Sequence, residues 1–134
     1  MFPTSTVSPD YAQLDKRIVP LVKSINALGL PTYYSCEGHE HARNLIQSSH
    51  PFVVITPEKD AESAHRWLRF MGMLGVYNTN CGRDDIRWKI VSMGNMSPAF
   101  HLEPDDTRCP LRMMQQSAVL LARILKRMDK WYQF

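Results

Sequence analysis

From Leu111 to Tyr132 the chain places Leu111, Met114, Ala118, Leu121, Ile124, Leu125, Met128, Trp131 and Tyr132 three or four residues apart, with a few adjacent pairs. That spacing puts them on one face of a single long helix, opened by Cys109-Pro110. Such a helix is apolar on one side only and must lay that side against another layer. The rest of the chain offers two shorter helical stretches and several strand-prone runs, so the other layer is a sheet.

The first helical stretch follows Ser8-Pro9-Asp10, an N-cap, a proline and an acid. Tyr11, Leu14, Ile18, Leu21, Val22, Ile25 and Leu28 form its apolar face. Pro20 predicts a kink or a restart inside it, and Gly29 a stop. The second begins at Thr56-Pro57-Glu58, points Ala61, Ala64, Trp67, Leu68, Met71 and Leu74 inward, and ends at Gly75. Met71, Met114 and Met128 stand at core spacing as adaptable filler.

Strands are expected at Thr32–Cys36 and Phe52–Ile55, with a short one inside 76–85. Ile86, Trp88, Ile90 and Ser92 alternate with Arg87, Lys89, Val91 and Met93, the pattern of a strand half open to solvent. A turn at Gly94-Asn95 returns the chain through Ala99–Glu103 as its hairpin partner. The order α-β-β-α-β-β-β-α predicts one α+β domain over 1–134, with 1–8 a mobile polar lead-in. Its single sheet, mixed or antiparallel, has four to five strands and three helices mainly on one face. If the strands flanking the second helix are parallel, their connection is a right-handed crossover.

Composition narrows the function classes. The chain has 134 residues, enough for a core that needs no disulfide or metal. A net charge of +3 does not by itself imply nucleic acid. No apolar run is long enough to span a bilayer, and the start lacks a secretory apolar region. Cys36, Cys81 and Cys109 cannot all pair within the chain, so reduced thiols and a cytoplasmic setting are expected, with no membrane partner.

Chemistry concentrates at Ser35-Cys36-Glu37-Gly38-His39-Glu40-His41, followed by Arg43, where a strand runs into a long polar loop over 37–50. Three readings stand open. Cys36, His39 and His41 are candidate zinc ligands, with Cys81, His101 or Cys109 as a fourth brought in by the fold. Cys36 could instead be a nucleophile or redox thiol activated by His39 or His41. The plainest reading is a packed cysteine, a glycine turn and a solvated loop. Asp84-Asp85 and Asp105-Asp106 are adjacent acids that suit turns better than a catalytic pair.

The run LPTYYSCEGH followed by PFVVI carries a resemblance. It is similar to short phage and bacterial proteins with a T-x-x-S-C-x-G-H motif. More remotely, it resembles the family of the third, tRNA-methylating enzyme of wybutosine synthesis. Ser35, Cys36 and Gly38 match that family's motif, Pro51-Phe52 its strand start, and Arg87-Trp88-Lys89-Ile90 its tryptophan strand. Glu37 and His39 replace its serine and arginine, Ile55 replaces a histidine, and no signature for its methyl donor, S-adenosylmethionine, accompanies them.

The expectation is therefore a small ligand-binding protein that holds a metal or a nucleotide-like group. Ser35, Cys36, Glu37, Gly38, His39, His41 and Arg43 form its site. The alternatives are an RNA-modifying enzyme using S-adenosylmethionine and a non-catalytic phage-encoded inhibitor that binds a host protein. Arg123, Lys126, Arg127 and Lys130 on the last helix, with Arg87, Lys89 and Tyr33 or Tyr34 on the sheet, are candidate nucleic-acid contacts against a background of ordinary solvated surface.

Overall fold

The structure is a computed structural model and describes residues 10–40, 48–93 and 99–131. After a short 3-10 turn at Tyr11–Gln13 come α1 (Val19–Ala27), β1 (Thr32–Cys36), β2 (Phe52–Ile55), α2 (Ala61–Thr79), β3 (Trp88–Ser92), β4 (Phe100–Pro104) and α3 (Leu111–Trp131). The four strands form one sheet in the order β1-β2-β4-β3, antiparallel at every pairing. The fold is α+β, with three helices. Among the described residues there is no fifth strand, and β2 and β3, which flank α2, both run antiparallel to β4 and so parallel to each other, which makes α2 a crossover between parallel strands one strand apart.

Alternation along the strands separates two faces. Val53, Ile55, Trp88, Ile90 and Leu102 turn toward the helices and join Leu21, Ile25, Phe70, Leu121 and Leu125 in the main core. On the other face Cys36, Phe52 and Val54 form a smaller cluster with Ala99, and no helical residue belongs to it. The register aligns Cys36 with Phe52 and Val54 with His101, so that second face runs continuously across three strands. An irregularity between Thr32 and Tyr34 leaves Tyr33 outside the alternation and largely exposed.

The segment read as the first helix is divided. Asp10 caps only the 3-10 turn, where its carboxylate accepts from the Ala12 amide, and α1 starts at Val19 with Pro20 in its first turn. Pro20 is thus a start signal, because its missing N–H falls where a helix has no acceptor for one. At the other end Gly29 has φ +85°, and a Cβ there would lie 2.7 Å from the Arg66 side chain. The positive φ favours glycine, whereas the flexible Arg66 side chain can turn aside.

Asn26 ties these pieces together. It accepts from the Tyr11 hydroxyl and donates to the Leu30 carbonyl and the Thr32 hydroxyl at 2.9, 2.9 and 3.3 Å. Asn26→Ala leaves three partners unsatisfied around a buried position. It is expected to cost about 1–3 kcal/mol in urea unfolding, and a loss below about 0.5 kcal/mol would contradict this role.

The second helix differs from expectation in both ends and in phase. Asp60, not Thr56, caps it, accepting from the Ser63 amide at 2.7 Å. The helix runs through Gly75 to Thr79, over residues where a short strand is expected. Its buried stripe is Ser63, Phe70, Met73, Leu74 and Tyr77, while Leu68 and Met71 are exposed.

The reason lies at its C-terminal end. The Tyr77 hydroxyl donates to the Ile86 carbonyl at 2.6 Å. Asn78 accepts from the Trp88 amide at 3.0 Å and donates to the Trp88 carbonyl at 2.8 Å. These contacts outweigh the cost of about 1 kcal/mol for each of the two glycines, Gly72 and Gly75, inside this helix. The hairpin of β3 and β4 is as expected, although its turn at Gly94-Asn95 lies outside the described residues.

Candidate metal centre and adjoining cleft

The site begins where β1 ends. Cys36 is buried on the helix-free face, and Ser35, one residue earlier, points to the opposite face. Its hydroxyl is buried with no hydrogen-bond partner among the described residues and does not meet the cluster. Gly38 follows with φ +89°. A Cβ on it would stand 2.6 Å from Leu111 Cδ1, 3.0 Å from the His50 carbonyl carbon and 3.1 Å from the Pro51 nitrogen. The loop is therefore folded tightly between α3 and the chain entering β2. The Gly38 amide donates to Cys36 Sγ at 3.4 Å, and the His39 amide donates to the Ser48 carbonyl at 2.8 Å. Gln115, on α3, donates to the Glu37 carbonyl at 3.1 Å.

The segment between the 3-10 turn and α1 meets this loop from the other side. Asp15 Oδ2 accepts from the Glu37 amide at 3.1 Å and lies 3.5 Å from His39 Nε2. The Arg17 amide and guanidinium both donate to the Glu37 carboxylate, at 3.0 and 3.1 Å. Glu37 thus anchors the loop and is not free for ligation. Asp15, Cys36 and His39 bring one carboxylate oxygen, one sulfur and one imidazole nitrogen within 4.8 Å of one another. Among the described residues no other three metal-ligating side chains converge so closely. Burial, with Cys36 and Asp15 beside it, pushes the Tyr34 phenol above its ordinary pKa.

Of the residues singled out from the sequence, Cys36, Glu37, Gly38 and His39 lie together here. His41 and Arg43 fall outside the described residues. Cys81, Cys109 and His101 do not join the trio. The two cysteines pack against the main core, and His101 sits on β4 against the Phe52 ring. Asp15 is the residue that sequence reasoning missed. It carries no motif signal, because it falls inside a stretch whose apolar spacing reads as continuous helix. The adjacent acids behave as turn residues: Asp85 accepts from the Gly82 amide and Asp106 from the Arg108 amide.

Beside the trio a cleft of 860 Å³ separates the loop from α3. Its walls include Arg17, Glu37, His39, Glu40, Arg112 and Gln116. The Arg112 and Gln116 side chains make no hydrogen bond or ion pair among the described residues. Arg123, Lys126, Arg127 and Lys130 form an exposed stripe further along the same helix. Arg87 is tied back to the Asn78 and Cys81 carbonyls, which leaves Lys89 alone of the pair projecting from β3. Among the described residues no helix is long and apolar enough to cross a membrane. No protein family, curated protein or solved structure matches the chain.

Proposed function

We propose that this protein binds a zinc-type divalent ion through Asp15, Cys36 and His39 and presents it to a small polar ligand in the adjoining cleft. The convergence of the three ligand atoms within 4.8 Å carries this reading. A tetrahedral ion with bonds of about 2.0–2.3 Å holds its ligands roughly 3.3–3.8 Å apart, so small side-chain adjustments would close the shell.

A thiolate, an imidazole and a carboxylate suit zinc better than magnesium or calcium, which take oxygen ligands. Three protein ligands leave a fourth position, the arrangement of sites that exchange a water for a ligand. His39 also lines the cleft, whose volume falls in the range that accepts a nucleotide-sized molecule. Arg112 and Gln116 supply unused donors for polar groups of such a molecule.

The test uses tag-free protein loaded with cobalt(II) as a spectroscopic stand-in for zinc. Thiolate ligation is expected to give a near-ultraviolet sulfur-to-cobalt band that vanishes in Cys36→Ser and weakens in Asp15→Asn and His39→Ala. Affinity should fall on acidification, because each ligand must release its proton to bind. Cobalt-loaded wild-type protein without the sulfur band would overturn the assignment.

A further inference from the structure

The outward side of α2 is unlike that of an ordinary surface helix. Ala61, His65, Leu68, Gly72, Val76 and Thr79 follow one another at spacings of three and four and are all exposed. No Lys, Arg, Asp or Glu interrupts that stripe, whereas the outward side of α3 carries Arg123, Lys126, Arg127 and Lys130. A helix side that faces water normally carries charged and polar residues. Here Leu68 is 66% exposed and Val76 42%. Both edge a groove of 470 Å³, lined also by Met73 and Met128.

Gly72 and Gly75 lie on this side with no internal reason to be glycine. Neither has a positive φ, and a Cβ on either would meet nothing within 4 Å. Each nevertheless costs about 1 kcal/mol relative to alanine inside a helix. What a missing side chain does allow at an outward position is the close approach of another backbone.

We infer that α2 is the contact of a two-fold dimer, in which the α2 helices of two copies cross antiparallel at Gly72. The inference uses none of the residues of the metal centre. The stripe fits its own reverse, as an isologous contact requires. Leu68 and Val76 stand four residues to either side of Gly72, so each Leu68 meets the Val76 of the other copy. His65 and Thr79, seven residues to either side, form the next uncharged pair. Beyond them Glu62 comes beside the turn of the other copy that carries Arg83, a side chain with no hydrogen bond or ion pair among the described residues. The antiparallel crossing also sets the positive start of each helix beside the negative end of the other.

Helix axes about 8–10 Å apart, with Cα atoms about 2.3 Å from each axis, bring the two Gly72 Cα atoms to roughly 3–5 Å. A large side chain there holds the helices apart. With 19 residues α2 is about 28 Å long, so the contact lies at the small end of specific interfaces and the dimer dissociates on dilution.

Sedimentation velocity of tag-free protein over a dilution series should show a monomer–dimer equilibrium. Leu68→Lys sets a charge against the apolar Val76 of the other copy and should weaken association at least about tenfold. Gly72→Leu should do the same, although its side chain meets nothing in its own chain. Both positions face solvent, so circular dichroism should match wild type. Wild-type protein that stays monomeric at millimolar concentration would overturn the dimer and leave the face to a different partner. Wild-type association in folded Gly72→Leu would overturn the crossing point.

Cross-linking reads the register. Gly72→Cys should give a disulfide-linked dimer on mild oxidation, because the two-fold axis brings residue 72 within disulfide reach of its own copy. Thr79→Cys, on the same stripe but roughly 21 Å from its own copy in this arrangement, should not. Cross-linking as fast at residue 79 as at residue 72 would refute the antiparallel pairing.

Discussion

Trp88→Ala is expected to lower the unfolding free energy by about 3–5 kcal/mol, the range for deleting a buried large aromatic side chain. Trp88 is 1% exposed and starts β3 on the core face. Its indole N–H donates to the Ser117 hydroxyl at 2.9 Å, joining the sheet to α3. Ser117 is itself buried, so truncation leaves a cavity and takes away one hydrogen-bond partner of its hydroxyl at once. The neighbouring Tyr77 hydroxyl is pushed up to about 12 by burial and keeps donating to Ile86 throughout the working pH range. Trp88→Phe retains most of the volume and should recover more than half of the loss. Urea denaturation of the three proteins checks this, and a loss below about 1 kcal/mol for Trp88→Ala would show that the core closes without the indole.

Gly38→Ala is the second large effect, and it separates stability from metal binding. An L-residue at φ +89° costs about 1–2 kcal/mol from local sterics alone. The new methyl group also meets Leu111 Cδ1 and the backbone between His50 and Pro51. Leucine can turn aside, but the backbone entering β2 cannot move without disturbing the β1–β2 pairing. A total cost of about 1–3 kcal/mol is expected.

Because Cys36 and His39 flank residue 38, zinc affinity at their site should fall about 10- to 100-fold, the effect typical of losing a supporting contact. Adding Leu111→Ala removes only the side-chain clash and should restore little. Cobalt titration alongside urea denaturation reads both consequences. Wild-type affinity in a folded Gly38→Ala protein would mean that the loop does not position the ligands.

The residues of the proposed site and those around it differ in how far they can be read from the chain. Cys36, Gly38 and His39 lie within four consecutive positions at a strand end, so their chemistry shows in one dimension. Asp15 does not, because Tyr11 to Leu28 keep helical spacing straight across it. Only the break between the 3-10 turn and α1 frees its carboxylate to meet the Glu37 amide and His39. Glu37, expected at the site, does lie there, but its carboxylate is held by Arg17. His50 and Glu103 are far apart along the chain and carry no motif. They meet because β2 pairs with β4 and not with β3.

α2 gives the same lesson for the fold. Gly75 and the polar residues after it read as a stop and a short strand. Hydrogen bonds from Tyr77 and Asn78 to Ile86 and Trp88 keep the helix going for another turn and set which side is buried. That is why Phe70 and Met73 lie inside while Leu68 and Met71 do not.

The apolar face of the final helix from Leu111 to Met128, a principally one-sided α+β layering, the β3–β4 hairpin and the cluster from Cys36 to His39 follow from the sequence by itself, whereas Trp131, at the same spacing, is exposed. Each depends on periodicity or residue type over a few neighbouring positions. The tertiary structure alone decided the strand order, the phase of α2, the part played by Asp15 and the facing of His50 and Glu103. Those features depend on contacts between distant segments, whose energies exceed the local preferences that a linear reading can register.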